Sequence, residues 1–392
     1  MTPKQNAVWT KSFTSIVGAN TVYFFGFYML MPTLPLYVAS LGGDSRQVGA
    51  IATAFSVASI CIRLLAGYLI SRFGKNKMLK IGMLVSALAT AAYSLVEQYL
   101  GIMALRVVQG LAFGLVSTIC ATMAADVLPD ERRGEGISYF GMGTTVAVAL
   151  SPTIGLWLKD NFGFNPMFVV AAIGLLASLV VFIIFRPQAE SEAAEREPEN
   201  RVSLIGSLFE PRNTFQCVLT FLFGICRGAE TNFLSLMVED HGIAGLSVYY
   251  IVQTGVAFVL KFFAGKMYTR FGHKASLIPG GIAGLACMIC LGLTNSTAML
   301  MISGVFSGIA VGAIIPSLQT WSMNNVPSHR RSVASAAYYN FYDLGMGGGA
   351  AVLGYIAKAA GYSGMYLWAG VSMVLFMALY LGYLAKKGKM AE

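Results

Sequence analysis

The stretch that decides the fold is Ala66-Gly67-Tyr68-Leu69-Ile70-Ser71-Arg72-Phe73-Gly74-Lys75-Asn76-Lys77, which closes a long apolar segment with a short basic loop. The chain repeats it later as Ala264-Gly265-Lys266-Met267-Tyr268-Thr269-Arg270-Phe271-Gly272-His273-Lys274, so that Gly67 and Gly265 stand 265 − 67 = 198 residues apart in a chain of 392. The same offset relates further pairs: Pro129 and Pro327, Arg132-Arg133 and Arg330-Arg331, Gly163 and Gly361, Met167 and Met365. One register kept from residue 66 to 365 indicates that the chain is duplicated.

The composition places the protein in a membrane. Apolar residues make up 56 % of the chain and charged residues 11 %, whereas a soluble domain carries roughly 25 % charged residues. Apolar runs of about 20 residues, the length that crosses a bilayer, recur along nearly the whole chain. We therefore predict an all-α membrane protein with twelve transmembrane helices in two pseudo-symmetric six-helix bundles.

The distribution of basic residues predicts the orientation. The twelve spans are predicted at roughly 12–38, 46–70, 78–96, 100–127, 135–159, 165–186, 213–238, 246–268, 276–294, 297–325, 332–358 and 363–385. Lys and Arg cluster before the first span and after every even-numbered one, which predicts an inner or plasma membrane protein with both termini in the cytoplasm. This placement accounts for the net charge of +9 and argues against nucleic-acid binding.

A polar segment separates the two halves. Pro187 to Ser203 is rich in glutamate and is flanked by arginines, which is typical of a cytoplasmic linker. We predict an N-terminal six-helix half over 1–186, a linker over 187–212 and a C-terminal six-helix half over 213–392.

Several motifs resemble those of the major facilitator superfamily of transporters, over essentially the whole chain. Gly67-x-x-x-Ser71-Arg72-x-Gly74-x-x-Lys77 resembles the superfamily's loop signature between helices 2 and 3, and Arg106-Val107-Val108-Gln109-Gly110 resembles its helix 4 signature. Asp126-x-x-Pro129-x-x-Arg132-Arg133-Gly134-Glu135-Gly136 resembles the segment after helix 4. Pro32-x-x-Pro35-x-Tyr37 and Ser151-Pro152-Thr153-Ile154-Gly155 are similar to motifs of the twelve-helix drug:proton antiporter branch, the second in a degraded form. The resemblance implies transport by alternating access.

The loop signature departs from the superfamily at Ser71, where relatives usually carry an aspartate. The resemblance implies a conformational latch, whose members here are Gly67, Ser71, Arg72, Gly74, Asp126 and Arg132. A serine can cap a helix N-terminus by a hydrogen bond but lacks the charge that complements the helix dipole. We therefore expect a weaker latch of the outward-facing state, and we interpret Gly67 as a site of close helix packing.

Ionisable side chains at membrane depth are costly and are therefore candidates for function. Glu230 follows Arg227 by three residues on the predicted helix 7, so the two side chains share a face and can pair. A carboxylate held between desolvation, which favours its neutral form, and a guanidinium, which favours its charged form, can bind and release a proton. We interpret Glu230 as the proton-coupling residue and Arg227 as its partner; the alternative is a structural ion pair.

Two other buried charges are further candidates for proton coupling. Asp343 opens the run Asp343-Leu344-Gly345-x-Gly347-Gly348-Gly349, where tight packing is the alternative role. By the resemblance, Arg106 faces the cavity of the first half and tunes protonation or holds an anionic group. The alternative for Arg106 is a hydrogen-bond hub for Gln109 and backbone carbonyls.

The resemblance implies a substrate cavity walled by helices 1, 4, 7 and 10. The substrate-binding candidates on those walls are aromatic side chains and polar side chains, each of which could instead be a packing residue. They are Asn20, Tyr23, Phe27, Gln109, Phe113, Asn232, Phe233, Gln253 and Gln319.

Three classes of function compete. The first is proton-coupled efflux of small amphipathic or cationic compounds or a metabolite, and the second is a symporter or facilitative uniporter for a sugar or other metabolite. The third is an intramembrane enzyme, which is disfavoured because His241, His273 and His329 fall in loops and no metal-ligand cluster accompanies them. We expect no cofactor and no metal; the expected partners are the lipid bilayer, a small-molecule substrate and protons, and we expect a monomer.

Overall fold

The computed structural model describes residues 8–129, 132–185, 211–327 and 330–389. The predicted linker lies outside these ranges except at 211–212, and so does His329. Contacts divide the chain into two units, Met1–Leu34 with Val57–Val202 and Pro35–Ser56 with Ser203–Glu392. The predicted halves at 1–186 and 213–392 stay a prediction, and the contacts differ from them in assigning 35–56 to the second unit.

All regular structure in the described residues is helical. The helices are α1 Lys11–Tyr28, α2 Leu30–Ser40, α3 Ser45–Phe73, α4 Lys75–Ala92, α5 Tyr99–Asp126, α6 Arg133–Phe162, α7 Phe164–Phe185, α8 Thr214–Asp240, α9 Leu246–Phe271, α10 Lys274–Gly292, α11 Thr297–Asn324 and α12 Arg331–Lys389. Short 3-10 turns follow α4 at Tyr93–Leu95 and precede α8 at Pro211–Asn213.

Ten helical segments of the described chain are long and apolar enough to cross a membrane, and Leu246–Lys261 is a shorter apolar helix. The helices α1 and α2 form one such segment, whereas α12 is two helices joined across a break at Gly361. With that break counted, the segments correspond to the twelve predicted spans. The prediction of an all-α membrane protein is confirmed.

Glycines at the predicted repeat positions end or break the helices. Gly74 and Gly272 have φ of +82° and +71°, and Gly163 and Gly361 have φ of +87° and +71°. Glycine adopts this left-handed conformation without the steric cost that a Cβ adds. Both pairs are separated by the offset of 198 found in the sequence, so the duplication is visible in the backbone.

Side-chain packing repeats with the same offset inside each unit. In the first unit Gly114 on α5 lies against Ser59 and Ile62 on α3. In the second unit Gly312 on α11 lies against Ala257 and Leu260 on α9. Each of these positions is related to its counterpart by 198 residues, so the same helix pair forms twice.

Each unit has its own helical core. In the first unit, α1 packs on α6 and α7, and α4 packs on α5 and α7. In the second, α8 packs along α12, while α11 contacts α9, α10 and α12. Large apolar side chains on the outside, such as Ile184 and Trp368, are 67 % and 60 % exposed. Such a surface suits lipid rather than water.

Candidate functional site

Helix α8, which is the predicted helix 7, holds a deeply buried ion pair of the second unit. Arg227 Nη1 lies 2.5 Å from Oε2 of Glu230, and the Glu230 side chain is 2 % exposed. The two residues are one helical turn apart, so both side chains leave the same face of α8. The pairing expected from their spacing is therefore present.

Side chains from two other helices hydrogen-bond the same carboxylate. Ser307 Oγ on α11 lies 2.8 Å from both Oε1 and Oε2 of Glu230. Gln253 on α9 donates from Nε2 to Glu230 and, at 2.9 Å, to Ser307 Oγ. Hydrogen bonds to an ionised carboxylate are stronger than those between neutral groups, so this arrangement suits a charged Glu230 joined to three helices.

Asp343 occupies a half-buried position on α12 next to Tyr342. The glycine run that follows it packs closely against α8: Gly345 lies against Phe221 and Gly224, and Gly349 against Ile225. The tight packing that the sequence suggested for this run is confirmed at Gly345 and Gly349 but not at Gly348, where nothing lies within 4 Å of an added Cβ. Proton coupling at Asp343 stays a prediction.

The first unit contains a buried cationic network centred on Arg106, whose side chain is 4 % exposed. Arg106 Nη1 donates to Gln109 Oε1 at 2.6 Å, and the hydroxyl of Tyr93 donates to the same oxygen at 3.3 Å. Gln109 Nε2 in turn donates to Thr90 Oγ1 at 2.9 Å. Arg106 is thus held in a hub with Gln109, which is one of its two predicted roles.

The aromatic candidates of the first unit pack on one another. Phe27 and Phe113 stack with ring centroids 4.4 Å apart, and Tyr23 stacks on Phe27 at 6.5 Å. The hydroxyl of Tyr23 shares a hydrogen bond of 2.8 Å with Ser86 Oγ. Asn20, also fully buried, donates to Thr144 Oγ1 at 2.9 Å. All four predicted residues lie inside the unit.

The remaining substrate-binding candidates of the second unit separate into three settings. Asn232 donates to the carbonyl of Gly228 on its own helix at 2.9 Å, and Phe233 is fully buried. Gln319 donates to the hydroxyl of Tyr339 at 3.0 Å. Gln253 lies in the Glu230 network instead. The structure brings Gln253, Arg227 and Glu230 together but does not join Gln319 to them.

Ser307 was missed by sequence reasoning, because a serine within an apolar helix carries no signal of its own. The repeat offset could have found it, since 307 − 109 = 198 relates Ser307 to Gln109. Gln109 holds the buried cation of the first unit, and Ser307 holds the buried anion of the second.

The surroundings of two latch residues, Ser71 and Gly67, bear on their expected roles. Ser71 Oγ donates to the Tyr68 carbonyl at 2.9 Å, so it bonds to its own helix. Gly74 is the N-cap residue of α4, and the capping role considered for Ser71 at a helix N-terminus stays a prediction. The packing role considered for Gly67 is wrong: among the described residues, nothing lies within 4 Å of a Cβ added there. The surroundings of Gly265 are outside the described part of the structure.

A different residue supplies the charge contact at this loop. Lys75, the first residue of α4, pairs with Asp126 at the end of α5, with Nζ 2.5 Å from Oδ2. Arg72 donates to the hydroxyl of Tyr68 at 2.8 Å, and Arg132 is the N-cap residue of α6. The motif residues therefore lie at the ends of neighbouring helices, with Lys75 added to the predicted set.

The second unit contains a helix contact that the sequence did not predict, between the start of α3 and α12. Ser45 Oγ donates to the Gly354 carbonyl at 2.9 Å, and Thr53 Oγ1 donates to the Gly347 carbonyl at 2.6 Å. A Cβ added at Gly347 would collide with the Ser56 side chain. Small residues therefore let the two helices approach closely enough for side chains to reach backbone carbonyls.

Two duplicated units of apolar helices, each holding a buried charged network, define a membrane transporter and not an enzyme. The chain belongs to the Major Facilitator Superfamily, whose model matches residues 16–260 and 218–390.

Known relatives cover nearly the whole chain at low identity. The staphylopine export protein of Staphylococcus aureus is 22 % identical over 88 % of this chain and 89 % of its own length. The multidrug resistance protein MdtG of Enterobacter lignolyticus is 25 % identical over 91 % of this chain and 88 % of its own. A solved POT family transporter, in complex with a thioalcohol-conjugated peptide, superposes with a TM-score of 0.80 at 14 % identity over 95 % of this chain and 96 % of that one. The structural likeness shows the fold alone.

Proposed function

We propose that this transporter is a proton-coupled exporter of small amphipathic or cationic compounds or of a dedicated metabolite, and that Glu230 carries the proton. The observation that carries the proposal is the burial of Glu230 against a guanidinium and two neutral donors. A buried carboxylate surrounded by donors is stabilised in its charged form, and movement of any of the three helices removes part of that stabilisation. Such a change would let it take up a proton.

Export as the direction is supported by two relatives, one called an export protein and the other a multidrug resistance protein. The orientation with both termini in the cytoplasm, a location in the cell membrane and a monomeric state belong to the same proposal. The orientation and the membrane location rest on the clustering of basic residues before the first span and after the even-numbered spans.

Substrate contact by the predicted set is also part of the proposal: Asn20, Tyr23, Phe27, Gln109, Phe113, Asn232, Phe233, Gln253 and Gln319. Buried aromatic side chains such as Phe27 and Phe113, stacked at 4.4 Å, offer an apolar surface that helix movement could uncover. Arg106 is a second candidate for tuning the protonation of the site, and Asp343 is a second candidate for carrying the proton.

A symporter or facilitative uniporter is the alternative. It is favoured by the first span, which offers Asn20 and Tyr23 where many relatives have an acid, and by Ser71 in place of the aspartate of the loop signature. In this alternative the Arg227–Glu230 pair is structural.

The test uses inverted membrane vesicles energised to an acid interior, with a fluorescent reporter of the pH gradient. A panel of lipophilic cations and metabolites is added to wild type, to Glu230→Gln and to Glu239→Gln, an exposed glutamate on the same helix. A substrate should dissipate the gradient in wild type and Glu239→Gln, and at least tenfold less in Glu230→Gln.

Downhill substrate movement is measured in the same vesicles without a gradient. Glu230→Gln should retain it, because the amide keeps hydrogen-bonding partners for Ser307 and Gln253. If gradient dissipation is equal in all three proteins, Glu230 does not carry the proton. If no compound affects the gradient while downhill movement persists, the facilitative alternative is supported.

A further inference from the structure

The hydroxyl of Ser307 is placed to hydrogen-bond the charged form of Glu230. Its hydroxyl carries one hydrogen, so it donates to one of the two carboxylate oxygens, each 2.8 Å away, at a time. The same oxygen accepts from Gln253 Nε2 at 2.9 Å and from Arg227 Nη1 at 3.3 Å. When Glu230 is protonated, the serine oxygen can accept the carboxyl hydrogen only in place of Gln253 or Arg227, because a hydroxyl oxygen has two lone pairs, so Ser307 favours the charged carboxylate.

Three glycines on α11 bring Ser307 and Gln253 together. A Cβ added at Gly308 would lie 2.5 Å from the carbonyl oxygen of Gln253, and one at Gly312 would lie 2.9 Å from Leu260 Cβ. A Cβ at Gly304 would lie 3.1 Å from the Tyr249 ring. The glycines at 304, 308 and 312 recur every four residues and face α9, so they form one seam. Larger side chains there would push α9 and α11 apart.

We infer that Ser307 and Gln253 are positioning residues that set the protonation of Glu230, and that the glycine seam at 304, 308 and 312 holds them at hydrogen-bonding distance. This inference rests on the proposed function, because it names two further residues that control protonation at the proposed proton site. They lie on helices other than the one that carries Glu230. Gain or loss of the proton therefore changes contacts among α8, α9 and α11 at once.

Other ionisable side chains lie around Glu230 and act on it electrostatically. They are Cys226 and Arg227 on α8, Tyr249 and Tyr250 on α9, Cys287 on α10, and Tyr342 and Tyr366 on α12. Arg227 is the cation in this set, and the others are neutral in their protonated forms. Variants of Ser307 and Gln253 leave the side chains of all of them in place, and comparing the two variants separates loss of the Glu230 contact from loss of the bond between Ser307 and Arg227.

The experiment reads the protonation of Glu230 without transport. The purified full chain in liposomes is treated with a hydrophobic carbodiimide, which reacts with protonated carboxyls, over a range of pH, and the peptide that contains Glu230 is quantified by mass spectrometry. Glu230→Gln identifies the specific signal. Loss of a hydrogen bond to the charged carboxylate in Ser307→Ala should move the labelling midpoint up by about one pH unit, a tenfold change in proton affinity.

Matched variants separate positioning from general damage. Ser307→Thr keeps the hydroxyl and should restore the wild-type midpoint. Ser303→Ala removes a buried hydroxyl of α11 that donates at 2.7 Å to Leu300 of its own helix, and the midpoint should not move. Gly308→Ala should move it upward, whereas Gly255→Ala on α9, where an added Cβ meets nothing within 4 Å, should not.

Equal midpoints in Ser307→Ala and Ser303→Ala would overturn the inference. If Ser307→Ala does not fold, Gln253→Leu provides the same comparison. Failure of the proposed function gives a different result: the midpoint shifts while transport in vesicles is independent of protons. In that case the positioning roles stand, and the coupling role of Glu230 does not.

Discussion

The Nζ of Lys358 on α12 lies 2.7 Å from Oδ2 of Asp44, so the turn between α2 and α3 is bound to α12 by a charge pair. Arg46 Nη2 reaches the same oxygen at 2.8 Å. Exposed pairs of this kind contribute about 0.2–1 kcal/mol. Lys358→Ala is therefore expected to raise hydrogen–deuterium exchange of the peptide over 41–56 two- to fivefold, and Lys358→Arg, which keeps the positive charge opposite Asp44, to retain much of the protection.

The pH dependence of this contact follows from the same pair. The hydrogen bonds from Lys358 and Arg46 hold the pKa of Asp44 well below its usual range. A carboxyl whose pKa is lower in the folded than in the unfolded protein stabilises the folded state at pH values above its ordinary pKa of about 3.9. This stabilisation is lost as the pH falls towards the lowered pKa. The ratio of exchange rates between Asp44→Asn and wild type should therefore stay constant from pH 7 to about pH 5 and begin to fall only near pH 4. A ratio that falls to one by pH 4 would contradict it.

Two adjacent glycines on α12 give a matched test of the contact with α3. Gly347→Ala should cost about 1–3 kcal/mol, because its Cβ would meet the Ser56 side chain and the helices would have to part. Gly348→Ala should be neutral or stabilising, since nothing lies within 4 Å of the added Cβ. Thermal unfolding followed with a thiol-reactive dye suits this chain, because Cys120, Cys217, Cys226 and Cys287 are buried. Equal melting of the two variants would contradict the contact.

The hub in the first unit can be tested through its acceptor. Gln109→Leu removes the oxygen that accepts from Arg106 at 2.6 Å inside a buried site. Losing a buried partner costs about 1–3 kcal/mol and more for a charged group. The same thermal assay should show that destabilisation, and Gln109→Glu should reverse it by restoring an acceptor. Unchanged stability in Gln109→Leu would mean that Arg106 does not depend on this bond.

The latch region allows a test of conformational preference. Ser71→Asp restores the charge that relatives carry and should shift the protein toward the outward-facing state. A cysteine is introduced on a wall of the predicted cavity, and an impermeant maleimide is added outside intact cells. The maleimide should label this cysteine faster in Ser71→Asp than in the protein with Ser71. Ser71→Asn is the control of similar size without the charge. If both variants label at the wild-type rate, the loop carries no latch at this position.

Much of the fold could be predicted from the sequence, because the duplication and the apolar runs are periodic signals. The spacing of Arg227 and Glu230 also predicted their pairing, since contacts one helical turn apart follow from geometry. Contacts between distant segments carry no such signal: Ser307 reaches Glu230 across 77 residues, and Thr53 reaches Gly347 across 294. The close packing predicted at Gly67 was wrong for a related reason: a small residue permits close packing without requiring it.

The repeated contacts of Gly114 and Gly312 have a consequence for how such a protein can be re-engineered. Both glycines lie against the preceding helix of their pair at matching positions, so neither can enlarge without separating those helices. Gln109 and Ser307, five residues before them, occupy equivalent places yet serve charges of opposite sign. The two halves therefore carry different residues at 109 and 307, whereas close helix packing requires glycine at both 114 and 312. Libraries that vary the helix contacts should therefore leave 114 and 312 untouched.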